Sequence, residues 1–117
     1  MVVDTFHVWW DPALRQQTAR ARREGRLASY QVGDWNLPIA ADPLLSRGMM
    51  GDGHIDFTKI GRWITQAGYT GDVEVEFFNA DIWATDGDLV LSRMTRSFLD
   101  HVLPALDPVV DRRDLPQ

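Results

Sequence analysis

Five residues could act together on a polar substrate: Asp4, His7, Gln31, Arg47 and Glu76. Asp4 stands in an otherwise apolar segment, VVDTFHV, where aspartate is disfavoured and an unpaired buried charge is costly, so it needs a partner. A divalent cation held by Asp4, Gln31 and Glu76, one residue from each of three strand ends, would provide one. All three offer oxygen, which suits a hard ion such as Mn or Mg. The chain has no cysteine, which excludes disulfides and thiolate zinc sites and leaves Mg, Mn, Co or a carboxylate-rich Zn site. Each residue also suits a plainer role. A strand Glu or Gln can be held by backbone or arginine, and His7 can be a hydrogen-bonded structural histidine. Arg47 can bind a substrate phosphate or carboxylate, or make a salt bridge. His54 reads as a loop residue and His101 as part of a helix stripe, and no Ser-His-Asp or thiol nucleophile arrangement is present.

Three β-α units must position these residues. The spacing predicts a strand over residues 2–9, with Val2, Val3, Phe6 and Val8 buried on both faces. A helix then follows from an Asp11 cap and Pro12 to about Glu24, stopped by Gly25. A second strand over residues 27–32 breaks at Gly33 and leads into a segment reaching about Ile55, longer than routine strand-to-helix connections and therefore a place for function. Within it, Gly51-Asp52-Gly53 reads as a tight turn, because phosphate-binding glycine loops need other spacings. Asp56 can cap a helix with Phe57, Ile60, Ile64 and Ala67 at helical spacing and Gly68 as terminator. A third strand over residues 72–78 puts Glu74 and Glu76 on one face, and a third helix spans roughly residues 86–103, followed by Pro104.

The order β-α-β-α-β-α implies parallel strands joined by right-handed crossovers, with helices outside. A closed eight-unit barrel needs ~250 residues, so 117 residues supply about three of its units, an incomplete TIM barrel over residues 1–106 with a loose tail over 107–117. Ligands in such architectures bind at the C-terminal strand ends. There the sequence also gathers Trp9, Trp10, Trp35 and Trp83, whose flat faces could stack on a sugar or plug the barrel mouth. A net charge of −5 argues against nucleic acid, the arginines between Arg15 and Arg26 reading as a solvated helix face. No apolar run is long enough for a bilayer and no signal peptide is evident, so no membrane association and a cytoplasmic location are expected.

At these residues the sequence resembles the C-terminal part of the sugar phosphate isomerase/epimerase family, the xylose isomerase-like TIM barrels. Asp4-Thr5-Phe6-His7 resembles its sixth-strand signature. Arg47 with Gly51-Asp52-Gly53 and Ile55-Asp56 resembles the loop that follows strand seven, and Gly68-Tyr69-Thr70-Gly71 with Val75-Glu76-Phe77 resembles the eighth strand. The resemblance implies Asp4, Gln31 and Glu76 as ligands of a divalent metal ion, His7 and Arg47 as substrate contacts, and Glu76 as a proton-transfer base. The implied activity is a metal-dependent sugar or sugar phosphate isomerase/epimerase, moving a proton through a metal-stabilised enediolate. Trp9 and Trp35 join the expected substrate contacts through their place on the rim.

Two departures stand out: Gln31 where many members have a ligand histidine, and Met50 where the loop has proline. Gln31 and Glu76-Phe77-Phe78-Asn79 are similar to the 3-dehydroshikimate dehydratase branch, which makes a lyase the alternative enzyme. The family takes its fourth ligand and second proton carrier from a fifth-strand glutamate, and no residue ahead of Asp4 supplies one. The chain alone is therefore expected to be weakly active or inactive, and to associate as a homo-oligomer or with a complementary barrel half. A non-catalytic, self-associating carbohydrate-binding half-barrel is the alternative outside enzymes.

Overall fold

In the computed structural model, which describes residues 1–40 and 42–106, the chain opens with strand β1 (Val2–Asp4) and turns at once into helix α1 (Thr5–Val8). The strand expected to reach Trp9 ends early because the Asp4 carboxylate accepts the Phe6 N–H at 3.0 Å and caps the turn that follows. His7 is therefore aimed by a helical turn rather than by strand alternation. Val3 and Phe6 are buried but Val2 is 49% exposed, so the segment is not covered on both faces.

Helix α2 (Leu14–Arg23) buries only the narrow stripe Leu14, Thr18 and Ala21, and it gives way at Gly25, whose φ of +67° suits glycine. Asp11 caps the turn before this helix, accepting the Ala13 N–H at 2.8 Å. Strand β2 (Ser29–Val32) follows. The long segment after it is not one loop: β3 (Asp34–Trp35) pairs antiparallel with β4 (Arg47–Gly48), and a 3-10 turn at Pro43–Leu45 lies between them. Helix α3 (Phe57–Gln66) starts where Asp56 accepts the Lys59 N–H at 2.8 Å and buries Phe57, Ile60, Gly61 and Ile64.

Strand β5 (Val73–Val75) is shorter than expected, and the chain beyond it turns into helix α4 (Ala80–Trp83), capped by Asn79. Helix α5 (Gly87–His101) starts at an Asp86 cap, and Pro104, expected to follow the last helix, sits inside α6 (Leu103–Leu106), whose first turn tolerates it. The tail expected over residues 107–117 lies outside the described residues.

The molecule is mixed α/β, with one parallel sheet in the order β1-β2-β5. Val3, Tyr30 and Val32 point from one face of the sheet into a core with Ile60, Ile64 and Val102 from the helices. The opposite face carries Val2, Asp4, Gln31 and Glu74 in cross-strand rows. An extent of 40 × 38 × 20 Å matches one sheet and one helical layer, so among the described residues only one sheet face is covered by helices.

Tyr30 is fully buried on the helix side, its hydroxyl has no hydrogen-bond partner among the described residues, and burial pushes the phenol well above its usual range. Tyr30→Phe is therefore expected to stabilise the chain by about 1 kcal/mol, seen as a rise of a few degrees in Tm. The unfolded phenol ionises as pH climbs past about 10 while the folded one stays protonated, so wild-type stability falls there and Tyr30→Phe should fall less. A lower Tm for Tyr30→Phe would contradict this account.

Candidate functional site

The strand ends are drawn together by contacts that only small side chains permit. The Thr5 hydroxyl donates to the Gly33 carbonyl at 2.8 Å and accepts the Gly33 N–H at 3.1 Å, fastening the end of β1 to the end of β2. A Cβ at Gly33 would lie 2.7 Å from the Glu76 carbonyl oxygen, so glycine lets the chain leaving β5 close in, where the Glu76 N–H reaches the Val32 carbonyl at 3.0 Å. The next residue organises the long segment. Asp34 is fully buried, and its carboxylate accepts N–H groups from Trp35 and Ile55 on one oxygen and from Gly51 and Gly53 on the other, at 2.8 to 3.0 Å. Its role depends on partners up to 21 residues away, which no local sequence pattern announces.

Strand β4 delivers Arg47 into this frame. Its guanidinium is 2% exposed and makes a two-pronged pair with Asp4, Nη1 to Oδ1 and Nη2 to Oδ2, both at 2.9 Å. Nη1 also lies 3.8 Å from the Glu76 carboxylate, and the guanidinium carbon sits 4.7 Å and 5.3 Å from the ring centroids of Phe6 and Phe78. Its Nε–H has no partner among the described residues. Nη2 lies 3.2 Å from His7 Nε2; arginine can only donate, so His7 accepts there and carries its ring proton on Nδ1. The Asn79 amide donates to the Arg47 carbonyl at 2.8 Å, tying β4 to the segment after β5. Of the two roles open to Arg47, the salt bridge is the one made here.

Asp4, His7, Gln31, Arg47 and Glu76 line one cavity of about 480 Å³, with Phe78 and Leu44 on its wall. The strand register adds one detail. Asp4 lies opposite Gln31, and Gln31 opposite Glu74, to which its amide donates at 2.9 Å; Glu76 is two residues further on, on the same face. Trp9 and Trp35 do not line this cavity: Trp35 packs on Phe6 at 4.9 Å and on Trp9 at 6.0 Å between ring centroids. Trp10 and Trp83 are exposed.

The donor chemistry fits a hard divalent ion, since Asp4, Gln31 and Glu76, whose side chains all carry oxygen, line one cavity. No three His, Cys, Asp or Glu side chains converge as a metal cluster among the described residues, so such a shell must draw on the Gln31 amide. The Asp4 share of that shell is engaged by Arg47.

No protein-family profile and no curated relative matches the chain. Among solved structures, a protein from Sinorhizobium meliloti 1021 matches 87% of the chain at 40% identity with a TM-score of 0.81. The IolI protein, whose crystal structure holds a zinc atom, matches 87% of the chain at 20% identity with a TM-score of 0.71. The chain spans 37% of the length of each. These likenesses support a TIM-barrel-like fold. No helix among the described residues is long and apolar enough to cross a membrane.

Proposed function

We propose that the chain supplies three βα units, a partial TIM barrel, to a metal-dependent sugar or sugar phosphate isomerase/epimerase. The observation that carries this reading is the convergence of Asp4, His7, Gln31, Arg47 and Glu76 on one cavity at the C-terminal ends of parallel strands. Asp4, Gln31 and Glu76 would hold the divalent ion, as in the resemblance seen in the sequence. When bound, the ion supplies Lewis-acid polarisation of a substrate carbonyl. Glu76, one-third exposed at its side chain, is the carboxylate in this set with room to take a proton from the carbon beside that carbonyl. His7 leaves its Nδ1–H free to donate to a substrate oxygen, because Nε2 is occupied by Arg47. Phe78 and Leu44 give the cavity an apolar wall.

One specific observation favours a second reading. Gln31 sits on the cavity wall in register with Asp4, the place where the 3-dehydroshikimate dehydratase branch carries glutamine, and it favours a lyase that begins with the same proton abstraction.

Hydrogen–deuterium exchange tests both, because washing out a C–H needs one proton carrier where epimerisation needs two. In D₂O with Mn²⁺, the chain is expected to exchange the proton beside the carbonyl of a ketose, followed by NMR, with Glu76→Gln slower by about 100-fold. Equal exchange by Glu76→Gln would remove Glu76 as the base. Exchange confined to 3-dehydroshikimate, accompanied by loss of water, would select the lyase.

A further inference from the structure

We infer that Arg47 is the resident counter-ion of the metal site, holding Asp4 until a divalent ion displaces it, so that it sets metal affinity as a positioning residue. The inference rests on the metal-dependent reading above. Asp4 Oδ1 already accepts from both Phe6 N–H and Arg47 Nη1, and Oδ2 accepts from Arg47 Nη2. A carboxylate has about four lone-pair sites, so one is left, on a group already paired with a permanent positive charge. A second cation of double charge cannot share these oxygens with the guanidinium without strong repulsion in a buried setting. Glu76, the other proposed carboxylate ligand, is within 3.8 Å of the same guanidinium, so both acidic donors answer to Arg47.

Two features fit a contact that opens. The Arg47 Nε–H is buried without an acceptor among the described residues, so the arrangement they make leaves one of its donors unsatisfied. The rings of Phe6 and Phe78 beside the guanidinium offer a surface along which it can slide while keeping cation–π contact, which does not depend on Asp4. Metal entry then frees the guanidinium from Asp4, while Nη2 keeps its contact with His7 Nε2.

The test uses the 117-residue chain, stripped of metal and titrated with Mn²⁺ by calorimetry, alongside Arg47→Met. Removing the competing charge is expected to tighten Mn²⁺ binding at least about 10-fold and to enlarge the rise in Tm that Mn²⁺ produces. Because Arg47→Met could fail to fold, the same titration is run on the wild-type chain with phenylglyoxal labelling read by mass spectrometry. Arg47, protected when buried against Asp4, should become several-fold more reactive as Mn²⁺ saturates. Mn²⁺ binding with unchanged Arg47 labelling, or equal affinity in Arg47→Met, would overturn the inference and leave the metal-dependent reading standing. Absence of Mn²⁺ binding in both proteins would overturn the two together.

Discussion

Asp34→Ala is expected to destabilise the chain by about 4 kcal/mol and to release the segment between β3 and α3. Four backbone N–H groups, of Trp35, Gly51, Gly53 and Ile55, lose their common acceptor, and hydrogen bonds to a charged group contribute about 1.5–3 kcal/mol each when made. The groups that become exposed regain water, which holds the net loss below the sum. Gly53 cannot be rebuilt around a larger side chain, because a Cβ there would sit 2.3 Å from the Trp35 carbonyl oxygen. The urea midpoint should fall, and the amides of Gly51, Gly53 and Ile55 should lose protection from hydrogen exchange before those of α3. Asp34→Asn, which keeps one acceptor oxygen, should fall between the two. An unchanged midpoint in Asp34→Ala would show that the segment folds without its carboxylate.

Asp4→Leu has a comparable expected effect for a different reason. It leaves Arg47, 2% exposed, without its two-pronged partner, and breaking a buried pair from one side costs about 3–5 kcal/mol. Removing both charges is another matter. The double variant Asp4→Leu/Arg47→Met should recover most of the loss, short of the α1 cap that Asp4 also provides, worth about 1 kcal/mol. Urea midpoints for wild type, both single variants and the double variant measure the coupling directly. Additive losses would mean that Asp4 and Arg47 do not depend on one another.

The parts of the fold that could be read from the sequence are those decided within a turn of chain. Asp56 with Phe57, Ile60 and Ile64 is such a case, as are the helix stops at Gly25 and Gly68, both at positive φ. Strand order followed from the alternation of β and α segments, and the parallel β1-β2-β5 sheet has that order. The end of β1 was hidden because Asp4 reads equally well as a strand residue with a distant partner and as a helix cap, and the structure uses it as both. The register at β5 was hidden because period-two alternation cannot distinguish Glu74 from Glu76 as the neighbour of Gln31. The residues of the site could be named, but not the bond that joins them. Arg47 and Asp4 are 43 residues apart, and a salt bridge was only one of the roles open to Arg47. Trp9 and Trp35 were placed on the rim by their position in the chain, yet indole is as good a core filler as a platform, and here the two pack on each other and Trp35 packs on Phe6.

The pairing of β3 with β4 divides the labour around the cavity in a way that bears on how the site could diversify. The floor, made of Asp4, Arg47 and Glu76, is held by contacts that tolerate little change. Residues 36–46 leave and re-enter that floor through the paired ends at Trp35 and Arg47, so the stretch is closed at its base. Doubling the length of a loop so tethered costs only about 0.6 kcal/mol in closure entropy. Leu44, on the cavity wall, belongs to this stretch. Insertions there can reshape the mouth and change which molecules enter while Asp4, Arg47 and Glu76 beneath stay as they are, which makes residues 36–46 the place for a library that seeks to redirect the proposed function.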